Sequence, residues 1–482
     1  LGIALDFLNQ QNQHNKKTLI LSDILQSGKS DMDLYSEIAN LIQEKNIDRI
    51  IGIGPAIFRM QDQFKKTESQ YFLTTEDFLT HFSLTNFQNE SILLKGARYF
   101  EFEQISKVLQ QKSHQTVLEI NLDAMINNLN HFRLKLKPET KMMIMVKAFS
   151  YGSGSFEIAN MMQYFHVDYL AVAYADEGVE LRKSGINLPI MVMSPDEQSF
   201  DSILKYDLEP EIYSFSILKK LEEAIKKNIL PKNKPVKIHI KIDTGMHRLG
   251  FGKEDIKQLI DQLKNNSQIY LTSVFTHLAA SNDARFDEFT HEQVATLREV
   301  SAKLQAESNH PIFTHALNSE GIIRFPEYQL DMVRLGIGLY GLSTNPEEES
   351  KLENIGCLKT NITQIKEVKS GNSIGYNRAY ICKENKKIGI IPIGYADGFN
   401  RLLGNEKSTV LINGVKAPIL GDVCMDMCMI DLSHIDKAQE GDEVIVFKTQ
   451  QHIKELAKSA QTIPYEILTG ISRRVKRIYF KE

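Results

Sequence analysis

Eight short apolar runs recur between residues 141 and 335, at 142–146, 169–173, 190–193, 211–213, 236–242, 271–275, 313–316 and 332–335, each separated from the next by a segment of helical spacing. Few folds accept this pattern. Strands joined by helical crossovers pair in parallel, and a parallel sheet has to be covered on both faces. Eight such units over about two hundred residues have the period of a closed (β/α)8 barrel. The polar residues agree with it: Lys147, Lys241 with Asp243, His277, Asn318 with Ser319, and Arg334 stand at or near the C-terminal ends of the runs. That is the face on which such barrels carry their chemistry.

The remaining chain reads as further domains, since at 482 residues it exceeds the roughly 250–300 residues at which one core stops growing. Residues 1–112 alternate strand-like and helix-like segments (18–21, 33–45, 49–53, 92–94, then a helix through 109), which predicts a small parallel α/β domain. The polar stretch 110–115 separates it from a barrel domain at 116–350, which opens with a run at 117–120 and an amphipathic helix over 123–136. Beyond 351 the period becomes two, with segments near 361–368, 388–393, 409–412, 427–431 and 443–447 broken by Gly and Asn. A helix at 452–461 and a strand near 474–480 complete a mostly β domain, 351–482. The basic run Arg473, Arg474, Lys476, Arg477 reads as a solvated or ion-paired edge strand.

A formal net charge of −4 gives no electrostatic reason to bind nucleic acid or membrane, so a small molecule is the expected partner. Four cysteines, no signal peptide and no apolar run long enough to span a bilayer suggest a reducing cytoplasm. Cys424 and Cys428 have no histidines or second pair beside them and read as buried thiols, with no metal expected. The chain opens at Leu1 inside a helix-like segment, which suggests a longer parent.

The stretch Val146-Lys147-Ala148-Phe149-Ser150-Tyr151-Gly152-Ser153-Gly154 carries the most chemistry. An amine leaving a buried strand is costly to desolvate, so its pKa falls and it becomes nucleophilic towards an aldehyde. By itself, a strand-end lysine is more often a structural ion-pair partner. Four further blocks give it context: Lys241-Ile-Asp-Thr-Gly-Met-His-Arg248-Leu-Gly, Ser373-Ile-Gly-Tyr376-Asn-Arg-Ala-Tyr, Ile393-Gly-Tyr395-Ala-Asp-Gly and Gly421-Asp-Val-Cys-Met425-Asp426. In this order and spacing they resemble the fold-type III alanine racemases, from about Val117 to the C-terminus.

The resemblance implies a pyridoxal 5'-phosphate enzyme that interconverts L- and D-alanine for the cell wall. It also implies a homodimer whose active sites each combine the barrel of one subunit with the β domain of the other. On this basis Lys147 holds the cofactor through its amine and serves one face of the substrate, while Tyr376 from the partner serves the opposite face. Inversion at a planar carbon requires such a pair. Arg334, in Met332-Val-Arg-Leu-Gly-Ile, matches the arginine facing the pyridine nitrogen. As a donor that does not lose its proton, it restrains the electron sink. Tyr151, Ser319, Gly336 and Ile337 match the phosphate site, and His277 a histidine hydrogen-bonded in the same network. Arg248 matches the arginine at the substrate carboxylate and the tyrosine base, while Met425 and Tyr395 match the substrate side. Lys241 falls at a position carbamylated in some members.

One departure concerns the block Ile471-Ser-Arg473-Arg-Val, where many members carry a tyrosine at the position of Arg473. A guanidinium there is expected to reach the cofactor phosphate. The N-terminal domain resembles instead the C-terminal domain of the muramyl ligase that adds D-alanyl-D-alanine, through Ala4-Leu-Asp6-Phe-Leu, Ile20-Leu-Ser-Asp23-Ile and Leu93-Leu-Lys95-Gly-Ala-Arg98. The P-loop pattern of that ligase occurs nowhere in the chain, and Gly52-Ile-Gly54 is weak as a nucleotide signal. A fold-III amino-acid decarboxylase, or a racemase of another small amino acid, is the alternative enzyme; the tyrosine block disfavours a decarboxylase.

Overall fold

The computed structural model describes residues 1–9, 14–25, 27–83, 86–109, 116–228, 235–264 and 266–481. The polar stretch 110–115, which the sequence offers as a domain boundary, lies outside the described residues. Two units separate, Leu1–Ser113 and His114–Glu482.

In the first unit four apolar segments form parallel strands: β1 (Lys16–Ser22), β2 (Arg49–Ile53), β3 (Glu68–Phe72) and β4 (Glu90–Lys95), in the order β3-β2-β1-β4. Leu19, Ile20, Leu21, Ile50 and Ile51 are buried, as expected of a sheet covered on both faces. Tyr35, Ile38 and Ile42 of the helix Asp31–Glu44 pack into the same core, and Ser30 caps that helix by accepting from Asp33 N. Asp23 follows β1 and lies at the start of the short helix Pro55–Arg59. Its Oδ1 accepts from Ile57 N (2.7 Å) and the Tyr35 hydroxyl (3.2 Å), and its Oδ2 from Ala56 N (3.0 Å). Gly54 has φ +137° there, and a Cβ would come within 2.5 Å of the Asp23 carboxyl carbon. The first amides of the helix after the Gly52-Ile53-Gly54 turn, Ala56 N and Ile57 N, are therefore taken up by an internal carboxylate, while Gly54 N donates to Phe72 O (2.9 Å).

In the second unit, β5 (Val117–Asn121) buries only alternate residues, Leu118 and Ile120. That period of two belongs to a half-buried sheet, and β5 joins the C-terminal sheet rather than the barrel domain to which its position assigned it. The eight apolar runs then become β6 (Lys141–Met145), β7 (Tyr169–Val172), β8 (Ile190–Val192), β9 (Glu209–Ile212), β10 (Val236–Lys241), β11 (Ile269–Phe275), β12 (Phe313–His315) and β13 (Met332–Leu335). They pair in parallel and in sequence order, and β13 returns to β6 through Met332–Lys141 to Leu335–Ile144, closing the barrel.

The rest forms a mixed sheet of β14 (Gly356–Asn361), β15 (Gln364–Val368), β18 (Lys386–Ile391), β19 (Thr409–Ile412), β20 (Val415–Leu420), β21 (Cys428–Asp431), β22 (Glu443–Phe447) and β23 (Lys476–Phe480), with β5 between β14 and β23. A separate small hairpin, β16 (Ser373–Ile374) and β17 (Tyr380–Ile381), brackets Tyr376. Strand β23 is an edge, and its basic run is engaged: Arg474 pairs with Asp397 (2.7 Å) and Asp426 (2.8 Å), and Arg477 donates to Gly152 O (2.9 Å). Cys428 is buried on β21, while Cys424 is only half-buried before it.

Because Asp23 satisfies two amides and a buried hydroxyl at once, Asp23→Ala is expected to destabilise the first unit by about 1–3 kcal/mol. Native-state hydrogen exchange of the β1–β4 amides measures this loss of protection.

Candidate active site

The barrel interior is polar along two adjacent strands. Glu209 and Glu211 alternate on β9, His239 and Lys241 on β10, and the two strands pair in register at His239–Glu211. Alternate residues point to the same side, so an acid meets a nitrogen base on successive rungs. Glu209 Oε2 lies 2.9 Å from His239 Nε2, and Glu211 Oε1 lies 3.3 Å from Lys241 Nζ.

From the first rung a buried relay crosses the barrel. His239 Nδ1 meets Ser273 Oγ on β11 (2.6 Å), Ser273 Oγ meets His315 Nε2 on β12 (3.0 Å), and His315 Nδ1 faces Arg334 Nη1 on β13 (2.6 Å). Arg334 also donates to Thr276 O (2.7 Å) and Ala316 O (2.8 Å), and its guanidinium lies over the Phe275 ring. Burial draws its pKa down to about 10, which leaves it a cation at neutral pH. His315 accepts from that cation, and burial with the Arg334 charge pushes its own pKa well below the ordinary imidazole range.

Lys147 follows β6 at the start of an unusual turn. Ala148, Phe149, Ser150 and Tyr151 have φ of +52°, +55°, +47° and +52°, a left-handed run that costs non-glycine residues about 1–2 kcal/mol each. Neighbours hold it. Glu177 accepts from Ala148 N (2.7 Å) and Ala173 N (2.7 Å), and the guanidinium groups of Arg473 and Arg477 lie over the Phe149 ring (4.7 and 5.1 Å). The Tyr151 ring stacks on Tyr340 at 4.6 Å, and Tyr340 is fixed by its hydroxyl to Met145 O (2.9 Å). The turn thereby aims both Lys147 and Tyr151 into one cavity.

That cavity, about 320 Å³, is lined among others by Lys147, Tyr151, Lys241, Arg248, His277, Ser319, Arg334, Gly336, Ile337 and Tyr465. Nine positions singled out in the sequence thus converge. Burial first, then the charges of Arg248 and Lys241, lower the Lys147 pKa. His277 is pushed well below its ordinary range by burial and by Arg334, Arg248, Lys241 and Lys147. Arg248 is carried by a loop that Asp243 shapes by accepting from Gly245 N and His247 N (3.0 Å each). Ser319 Oγ accepts from Gly336 N (2.9 Å) and Gly338 N (3.2 Å), and a Cβ at Gly336 would come within 2.9 Å of the Tyr151 hydroxyl.

The donor set fits pyridoxal phosphate. Four basic side chains, Lys147, Lys241, Arg248 and Arg334, line the cavity, and the one carboxylate among the described lining residues, Glu320, is itself engaged by Ser343 Oγ (3.0 Å) and Thr344 N (2.8 Å). Hydroxyls and backbone amides cluster at Tyr151, Ser319 and Gly336 as a phosphate requires, and a desolvated amine stands ready for an aldehyde.

Tyr376, Met425 and Tyr395 do not join this lining. They are 68%, 53% and 45% exposed on the β domain, where Tyr376 and Met425 share a shallow depression with Met427 and Met429. Arg473 also stays out of the cavity. Its nearest carboxylate is Glu180 at 3.9 Å, its face covers Phe149, and its side chain is 64% exposed. Its guanidinium lies over the Phe149 ring, and Tyr465, whose ring lies 6.1 Å from that of Tyr151, lines the cavity. Sequence reasoning missed Tyr465, Glu177 and Glu211. The one available signal was Glu211, an acid at the head of the strand run 211–213.

The profile of the alanine racemase N-terminal domain matches residues 120–344, and that of the alanine racemase C-terminal domain residues 355–479. Alanine racemase 2 of Caldanaerobacter subterraneus subsp. tengcongensis is 37% identical over 373 residues, 76% of this chain and 94% of that protein. Alanine racemase 1 of Clostridium acetobutylicum is 36% identical over 372 residues, covering 75% and 95%. Among solved structures, an alanine racemase of Clostridium difficile 630 superposes with a TM-score of 0.71 at 35% identity, covering 77% of this chain and 97% of that one. That of Bartonella henselae, with covalently bound pyridoxal phosphate, gives 0.69 at 28% identity, covering 76% and 100%. The chain belongs to the alanine racemase family and is a pyridoxal-phosphate-dependent racemase.

Proposed function

We propose that the chain interconverts L- and D-alanine for peptidoglycan synthesis with two bases, Lys147 and Tyr376, that meet only when two copies of the chain assemble. The observation that carries this reading is the separation of the two residues within one chain. Lys147 lies in the barrel cavity, whereas Tyr376 stands exposed in an apolar patch with Met425 and Met427 on the β domain. An exposed apolar patch around a polar tip is the signature of a surface awaiting a partner. A homodimer with shared sites uses it.

Bound pyridoxal phosphate supplies the electron sink that makes the substrate α-proton acidic. Lys147 would hold it, with Tyr151, Ser319, Gly336 and Ile337 around the phosphate and His277 nearby. The Lys147 amine is depressed in pKa and so is a neutral proton acceptor over a wider pH range than a free lysine. It exchanges the proton on one face. Tyr376 exchanges it on the other, and the Arg248 cation at the cavity lowers a phenol brought beside it from about 10. Arg248 also meets the substrate carboxylate, while Met425 and Tyr395 close the substrate side. Arg334, protonated at neutral pH and fixed by three bonds, would restrain that sink and so favour return of the proton to the α-carbon.

The N-terminal unit reads as the C-terminal domain of a muramyl ligase, fused to the racemase as an appendage. Its own sheet and core support a separate domain, followed by a barrel domain near 116–350 and a β domain near 351–482 that also takes in β5.

In deuterated water Tyr376→Phe is expected to lose racemisation in both directions yet still label D-alanine through Lys147, leaving L-alanine almost unlabelled. Equal loss for both enantiomers argues against two bases. Mixing Tyr376→Phe with Lys147→Ala restores activity after subunit exchange if the sites are shared. A second expectation concerns pH. A depressed amine pKa means the reactive form persists to lower pH, so Arg248→Leu, which removes a depressing charge, should move the acid limb of cofactor capture by the apoprotein to higher pH, as read by equilibrium dialysis. A third concerns the appendage. A chain beginning at Ser113 should retain racemisation, and the full chain should show no ATP-dependent ligation.

A further inference from the structure

The cation cluster at the barrel mouth contains an anion that no cofactor or substrate contact requires. Glu211 is fully buried on β9, does not line the cavity, and neither of its oxygens has a hydrogen-bond donor in good geometry among the described residues. Its contact is the ion pair with Lys241 Nζ at 3.3 Å, on a lysine that is itself buried and also lies over the Phe275 ring. Arg334 and Arg248 are its other electrostatic neighbours. A carboxylate taken this deep is retained only where several cations surround it. Here they do.

We propose that Glu211 is the resident anion of the site, a positioning residue that holds Lys241 as an ammonium ion and keeps it from being carbamylated. The inference rests on the reading of Lys241 and Arg248 as part of the substrate site. Carbamylation begins with the lone pair of a neutral Nζ. The ammonium ion first loses a proton to solvent; the neutral nitrogen attacks the carbon of dissolved CO2, a C–O π pair moves to oxygen, and the nitrogen releases a second proton to solvent, so that overall a cation becomes an anion. Glu211 opposes both ends of that reaction. Its charge stabilises the protonated amine that cannot attack, and it would leave the product as a second buried anion beside the first. The charge that a carbamate supplies near Arg248 is already present on β9, non-covalently. Burial raises the Glu211 pKa to about 7 and lowers that of Lys241, and within the pair each charge opposes the effect of burial on the other.

The full-length holoenzyme equilibrated with 13C-bicarbonate tests this by carbon NMR, with no reliance on turnover. The expected result is no enriched carbamate resonance in the unsubstituted protein. Glu211→Gln should gain a single resonance that Lys241→Arg in the same background removes. Glu211→Thr, which deletes the carboxylate with a smaller side chain, should gain the same resonance and serves where the glutamine does not fold. A Lys241-dependent resonance in the unsubstituted protein overturns the proposal. So does failure of both folded variants to acquire one. Because racemisation is not measured, either outcome leaves the two-base reading to its own test.

Discussion

Desolvated charge inside the barrel governs this molecule. Lys147, Lys241, Arg248 and Arg334 converge on one cavity, and bringing cations together in a medium of low dielectric is costly unless something compensates them. The protein provides Glu211 for Lys241, with Arg248 also in its field, and backbone carbonyls and the His315 ring for Arg334. Burial, together with the positive charge that remains, depresses the Lys147 amine and His277 and makes the cavity a receptor for phosphate and carboxylate. One electrostatic arrangement therefore performs binding and activation together.

The arrangement depends on register. Because β9 and β10 run parallel with His239 opposite Glu211, each acid on one strand falls beside a base on the other. A slip of one residue in either strand would turn its two polar side chains to the opposite face, away from their partners. The relay from Glu209 through His239, Ser273 and His315 to Arg334 crosses five consecutive strands, so the orientation of a cavity-wall arginine is set by pairing across more than half of the barrel. At β6 the same precision is reached by strain. Four left-handed residues after Lys147 are held by Glu177, by two guanidinium groups over Phe149 and by the stack of Tyr151 on Tyr340. Glycine would relieve the strain but would supply neither the Tyr151 hydroxyl nor the Phe149 ring.

The sequence by itself determined the barrel, the sheet domain and the parallel first unit, since a run of apolar residues at strand length between helical segments has few ways to bury both faces. It singled out nine members of the cavity as well: Lys147, Lys241, His277, Ser319 and Arg334 because they stand at or near the C-terminal ends of apolar strands, and Tyr151, Arg248, Gly336 and Ile337 through the family resemblance. Only the tertiary structure decided the rest. Strand β5 lies beside the barrel in sequence but pairs with β14 and β23, a choice made by which sheet edge is open. Arg473 turns to Phe149 while Tyr465 takes the cavity wall, and no local pattern separates those outcomes. Glu211 is an ordinary acid in the sequence and becomes a buried counter-charge only when β10 places Lys241 against it. Charge pairing across strands thirty residues apart is a property of register, which single-strand periodicity does not encode.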